Sequence, residues 1–263
     1  MPEANTLFER DGVRLTLDDA VAHITLCNPA KRNAQSPALW RALAEAGRLL
    51  PGTVRVVVLR GEGVSFSAGL DRKAFSPEGF DGEPSFLDLA RGSDKELDAA
   101  VTGFQEAFTW WRRTDLLTVA AVQGHAIGAG FQLALACDLR VCADDVQFAM
   151  RETSLGLVPD LTGTKPLADL VGYGRALEIC VTGRFVHAEE AERTGLANVV
   201  VPAAELDDTV KDLVAALLAP PRAAVNETKA LLRTASANSE ADQYAAERAA
   251  QARRLRDLAG LGE

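Results

Sequence analysis

Apolar residues cluster along the chain in short runs broken by glycines or acidic turns. Residues 13–17 and 21–26 are two such runs, separated by Asp18, Asp19 and Ala20, and together they predict a β-hairpin. Residues 54–59 are nearly pure β-branched, as expected of a strand covered on both faces. That run empties into Gly61 and Gly63 and then into FSAGLDRKAF at 66–75. The same order returns in the stretch 118–142. An apolar run at 119–122 meets Gly124, Gly128 and Gly130, and 131–136 then reads as a helix so apolar all round that it is expected to be buried. Residues 138–142 begin another buried strand, and 197–201 form a last apolar run.

The remaining pattern is helical. Ser36 as N-cap and Pro37 at the first helical position open a helix to about Leu50. Residues 95–113 carry a stripe of Leu97, Val101, Phe104, Phe108 and Trp111. Before it, 76–94 mixes Pro, Gly and Asp with scattered Phe, which predicts a mobile surface loop that can serve as a lid. An irregular segment follows Cys142, and then come helices at 164–170, 175–182 and 188–194. Beyond Pro202 everything reads as helix, at 206–218, 222–233 and 240–258. The expectation is an α/β body over 1–200 followed by a helical region over 201–263.

Composition narrows the function classes. A chain of 263 residues with 48% hydrophobic content can bury a substantial core. No apolar run reaches membrane-span length, and MPEANTLFER lacks a basic start ahead of an apolar core, so no membrane association and a cytoplasmic location are expected. Cys27, Cys137, Cys142 and Cys180 lack CxxC spacing and are read as thiols in a reducing compartment. A net charge of −9 argues against nucleic acid as a partner. The GxGxxG, GxxxxGK[ST] and GxSxG motifs are absent, and His23, His125 and His187 show no metal spacing, so no metal site is expected. His125 is read as a spacer in its turn. The pair Arg112 and Arg113 and the cluster Arg253, Arg254 and Arg256 are read first as solvated helix faces, with subunit contact or phosphate binding as alternatives.

The chemistry suggested by the central stretch comes from its turn. A strand that enters a helix through glycines leaves the first helical N–H groups unpaired, with the helix dipole behind them, and a developing negative charge is stabilised there. Four blocks then carry a resemblance: NPAKRNA (28–34), VVVLRGEGVSFSAGLD (56–71), AAVQGHAIGAGFQLALACDLRV (120–141) and LGLVPD (155–160). In this order and at this spacing they resemble the crotonase superfamily, the enoyl-CoA hydratases and isomerases.

The resemblance implies a spiral of ββα turns, and a homotrimer or dimer of trimers in which 201–263 serves trimerisation and acts as a lid. It also implies an acyl-CoA substrate that itself supplies coenzyme A, so that no separate cofactor is needed. The thioester carbonyl oxygen would lie between the backbone N–H groups of Leu70 and Ala129, where fixed dipoles stabilise an enolate. Gly69 and Gly128 would let the backbone approach the ligand. Ala129 departs from the glycine usual in the family but keeps its N–H. Lys31, Arg32, Ala68, Asp71 and Arg72, with Lys73 beside them, fall in the blocks that line the CoA moiety.

The carboxylates are where the chain departs from a hydratase. One hydratase glutamate corresponds to Gln132, which cannot take up or deliver a proton, and the other to Glu152. Asp160 stands where hydratases usually have glycine, a pairing similar to that of dienoyl-CoA isomerases. The expectation is double-bond isomerisation, with Glu152 and Asp160 moving the proton. Hydration of a 2-enoyl-CoA with Gln132 positioning water, or acyl-CoA binding without turnover, are the alternatives. The 76–94 loop with Phe104, Phe108 and Trp111 is expected to shape the acyl pocket.

Overall fold

The computed structural model describes residues 5–80 and 83–262. The hairpin forms where its acidic turn places it. β2 (Val13–Asp18) and β3 (Val21–Leu26) pair antiparallel, with Val13, Leu15, Ala22, Ile24 and Leu26 buried and their neighbours along each strand more exposed. Asp19 takes the left-handed conformation that a tight connection demands and a short acidic side chain tolerates. β1 (Asn5–Arg10) lies along the outer edge of β2; almost every one of its side chains is exposed, so no apolar alternation revealed it.

From β3 the sheet continues in parallel pairing through β4 (Val56–Gly61), β5 (Leu117–Val122), β7 (Leu139–Ala143) and β10 (Val199–Val201). The order is β1-β2-β3-β4-β5-β7-β10. A second, three-stranded sheet has the order β6-β8-β9, from β6 (His125–Ile127), β8 (Gln147–Ala149) and β9 (Val186–His187). These strands are too short for a period-2 signal, and the segment after Cys142 that reads as irregular contains one of them. Parallel neighbours require crossovers, and two of them share one form. β5 turns into β6 and then α4 (Ala129–Ala136); β7 turns into β8, a 3₁₀ turn at Glu152–Leu155 and α5 (Thr164–Val171). Residues after β4 imitate this, since Ser67 bridges Ala126 in parallel before a 3₁₀ turn at Arg72–Phe75. The result is a spiral of ββα turns with a C-terminal helical region.

Both faces of the large sheet are covered, as the unbroken apolar run in β4 requires. One face packs on α1 (Pro37–Leu49), α3 (Asp94–Thr109) and α4 through Leu39, Leu43, Phe108, Phe131 and Leu133. Val56, Val58, Val119 and Val141 meet Leu206 and Val210 of α8 (Leu206–Leu218) on the other. The division expected at 200/201 therefore falls within β10, and the first helix beyond it covers the sheet. α9 (Arg222–Ala235) and α10 (Glu240–Leu258) follow. No helix among the described residues is long and apolar enough to cross a membrane.

α9 is fastened by one buried cation. Lys229 Nζ donates to Asp138 Oδ2 at 2.6 Å and to the Leu116 carbonyl at 2.8 Å, while Thr118 N also donates to Asp138 Oδ2 at 2.8 Å. Removing one partner leaves the other charge uncompensated. Lys229→Ala is expected to lower the unfolding free energy by about 2–3 kcal/mol in urea titration at neutral pH. An unchanged midpoint would mean that apolar contacts and the hydrogen bonds of Arg222 to the Gly52, Val54 and Asp115 carbonyls dock α9 without it.

Candidate active site

Three chain segments run side by side in the smaller layer and end at the same edge. Phe66 N donates to the Gln123 carbonyl at 2.8 Å, Ser67 N to His125 O at 2.9 Å, and Ile127 N to Ser67 O at 3.0 Å. β6 pairs in parallel with β8, and Gly128 N donates to Ala149 O at 2.8 Å. Past these ends stand Leu70, Ala129 and Glu152, separated by some twenty to sixty residues in sequence and adjacent in space. A Cβ on Gly69, where φ is +80°, would lie 2.3 Å from Ile127 O and 3.5 Å from Ala129 N. A Cβ on Gly128 would lie 3.2 Å from Glu152 Oε1. Both positions therefore favour glycine, Gly69 for close approach of two backbones and Gly128 for its backbone, where φ is +50° and ψ −117°. Among the described residues neither Leu70 N–H nor Ala129 N–H has a protein acceptor.

A buried polar network holds the Gly69 turn. Ser67 Oγ donates to Asn33 O at 2.7 Å and accepts from Gly69 N at 3.2 Å and from Gln35 Nε2 at 3.1 Å. Gln35 Oε1 accepts from Trp40 Nε1 at 2.7 Å, and Asn33 Nδ2 donates to the carbonyls of Glu62 and Ser65 at 3.0 and 2.9 Å. Every member is satisfied, which is the condition under which a buried network is rigid. His125, read from the sequence as a spacer, adjoins this network with its Nδ1 3.1 Å from Ser65 Oγ.

Glu152 opens the 3₁₀ turn that follows β8. Its Oε1 accepts from Gln132 Nε2 at 2.7 Å, whereas its Oε2 is buried without a hydrogen-bond partner among the described residues. Asp160 lies beyond Gly156, its carbonyl held by Gln105 Nε2 at 2.6 Å; it caps no helix, because α5 begins at Thr164 behind Gly163. Burial pushes the Glu152 carboxyl above its ordinary range; the Gln132 amide pulls it back, and the nearby Asp160 charge pushes it up again. Burial raises the Asp160 carboxyl as well. Two carboxyls with raised pKa values beside one cavity are suited to passing protons near neutral pH.

That cavity, about 660 Å³, is lined by Leu70, Gly128, Ala129, Glu152 and Asp160 on one side and by apolar side chains on the other. One expectation about its walls is corrected. Of the α3 stripe, Leu97, Val101 and Phe104 reach it, but Phe108 and Trp111 are fully buried in the main core. The 76–94 segment reaches the cavity as expected, through α2 (Phe86–Leu89), capped by Ser85 Oγ; Phe86, Leu87, Leu89 and Ala90 line it, and Phe86 stacks on Phe104 with ring centroids 5.7 Å apart. Trp40 and Phe75 complete the aromatic wall. Sequence reading missed Trp40 because on the apolar stripe of α1 it looks like any core residue, and Ser67 because a small polar residue in a turn carries no signal of its own.

At the mouth, Ala68 and Arg72 line the cavity and are exposed. Lys31 Nζ pairs with Asp71 Oδ2 at 3.0 Å, and Asp71 also accepts from Lys73 N at 3.0 Å as the N-cap of its turn. Arg32, in the left-handed conformation, adds an exposed cation on the same loop as Lys31. The positions expected to meet coenzyme A thus lie on two adjoining loops, tied where Ala68 N donates to Arg32 O at 2.8 Å.

A family model described as enoyl-CoA hydratase/isomerase matches residues 16–257. Among solved structures, a protein of Thermobifida fusca YX assigned as an enoyl-CoA hydratase and crystallised with CoA is 50% identical, with a TM-score of 0.90 over 95% of each chain. The same protein with acetoacetyl-CoA gives a TM-score of 0.89 over 94% of this chain and 95% of that one. Among curated relatives, the carnitinyl-CoA dehydratase of Escherichia coli O157:H7 is 34% identical over 89% of this chain and 85% of its own length. The hydroxycinnamoyl-CoA hydratase-lyase of Pseudomonas fluorescens is 32% identical over 78% and 72%. With the ββα spiral and the family match over most of its length, the chain belongs to the enoyl-CoA hydratase/isomerase family of the crotonase superfamily.

Proposed function

We propose that the protein shifts a double bond in an unsaturated acyl-CoA through an enolate. The observation that carries this reading is the pair Glu152 and Asp160 on one cavity, with an amide rather than a second carboxylate at position 132. The thioester carbonyl is placed between Leu70 N–H and Ala129 N–H. Glu152 Oε2 takes a proton from the carbon next to the thioester; the C–H electron pair moves into the carbonyl, and the two N–H dipoles stabilise the resulting oxyanion. Asp160, protonated, returns a proton to the carbon two atoms further along, and the double bond comes into conjugation. Lys31, Arg32 and Arg72 hold the phosphates, Arg72 on the loop of Ala68 and Asp71 and the other two on the loop beside it, where Asp71 pairs with Lys31.

Addition of water is the second reading, favoured by the hydratase, dehydratase and hydratase-lyase activities of the relatives. In that case Glu152 handles the proton and holds the water, while Gln132, expected to orient the water itself, is buried with its amide bonded at both ends and acts on the water only through Glu152. The two are separated by product mass after incubation with a 3-enoyl-CoA, a 3,5-dienoyl-CoA and a 2-enoyl-CoA. Rearrangement at constant mass supports isomerisation. Gain of one water on the 2-enoyl-CoA, with no rearrangement of the others, assigns hydration.

Ala129→Pro tests the oxyanion donor, since proline is tolerated at the first position of a helix but has no N–H. Turnover is expected to fall about 10²–10³-fold while α4 stays intact by circular dichroism. Glu152→Gln should lower turnover about 10²–10⁴-fold. It also has a stability signature, because burial raises the folded-state pKa above the ordinary value of 4.5. The wild-type contribution is complete below that value and is lost as pH rises through the raised folded pKa. Glu152→Gln should therefore melt higher than wild type at about pH 8, with the difference closing by about pH 4. A constant difference across that range would place the titrating group elsewhere.

A further inference from the structure

Gln132 is fully buried on α4, and its amide is engaged at both ends. Its Oε1 accepts from Leu161 N at 2.9 Å and from Gly163 N at 3.2 Å, and its Nε2 donates to Glu152 Oε1 at 2.7 Å. Two backbone donors on the oxygen settle which way the amide points, because the flipped amide would set its NH₂ against two N–H groups. The backbone closes tightly on the side chain: a Cβ on Gly163 would lie 2.6 Å from Gln132 Cγ. Glu152 Oε1 is thus taken, and Glu152 Oε2 is the oxygen left without a partner.

We infer that Gln132 is a positioning residue: it clamps Glu152 so that Oε2 alone carries the exchangeable proton, and through the same amide it fixes the 161–163 segment of the cavity wall. The inference rests on Glu152 as the acid–base group. The chemical reason is the asymmetry of an amide. Its NH₂ donates at every working pH, so Oε1 remains an acceptor in both protonation states of Glu152 and a proton arriving there is refused. A glutamate at 132 would behave differently, since two carboxyls at this separation share one proton and titrate as a pair. Leu161 lines the cavity, so the segment that touches the acyl group and the oxygen that moves the proton are held by one side chain.

The test follows the Glu152 carboxyl by NMR in protein with carbon-13-labelled glutamate side chains and no substrate, the signal being assigned with Glu152→Gln. In Gln132→Met, which keeps the length and loses the donor, the Glu152 midpoint is expected to rise by about one pH unit or more. Gln132→Glu, with Asp160 already facing Glu152 in the wild type, is expected to add a second strongly coupled step to the Glu152 titration. With an acyl-CoA substrate, the acid limb of the kcat/KM profile of Gln132→Met should move up by the same amount, with kcat changing more than KM. An unchanged midpoint in Gln132→Met overturns the clamp, and so does a lower kcat with an unmoved acid limb. Should Gln132→Met fail to fold, Gln132→Glu decides, because a single unshifted Glu152 step there overturns it equally. Full turnover by Glu152→Gln overturns the acid–base reading instead, while the substrate-free midpoint still decides the clamp.

Discussion

The site depends on the alignment of three strand ends in the smaller layer. Ser67 bridges Ala126, β6 pairs with β8, and the chain leaves each segment at the same level. Because the pairing is parallel, residues at matching positions end up side by side however far apart they lie in sequence. Leu70, Ala129 and Glu152 are such residues. The large sheet, with helices on both faces, serves mainly to deliver these ends at a fixed spacing. Backbone N–H groups aimed in this way need no reorganisation when charge develops before them, which is the physical basis of oxyanion stabilisation.

Close approach is the second condition. The turn at Gly69 and the start of α4 sit so near one another that a single methyl group between them would overlap a carbonyl oxygen. The hydrogen bonds through Ser67, Gln35 and Asn33 hold that contact. Small polar residues, buried and fully paired, take the place that large apolar ones fill elsewhere in the core.

The apolar runs announced β2 to β5, the buried α4 and the terminal helices, because burial on one or both faces leaves a period in the sequence. β1 left none, being exposed, and β6, β8 and β9 are too short to show one. The glycines marked the turns, but only the tertiary structure shows that Gly69 and Gly128 belong to a single cleft. Glu152 and Asp160 were legible as a pair through the family resemblance. That Gln132 is saturated on its oxygen and faces Glu152 with its nitrogen depends on the position of 161–163, which no local pattern encodes. The acyl wall was half legible: Phe104 and Phe108 are equivalent on the helical stripe, and only the course of α3 across the sheet separates the one at the cavity from the one beneath it.

The aromatic wall has an optical consequence. The chain has three tryptophans. Trp110 and Trp111 stack on each other with centroids 4.0 Å apart and are not among the residues that line the cavity, whereas Trp40 borders it with its indole nitrogen fixed on Gln35. The protein therefore carries its own fluorophore in the wall of the cleft, while the other two lie away from it. A ligand entering the cleft would lie against that indole, so the intrinsic emission of the native chain is expected to change on binding with no label attached.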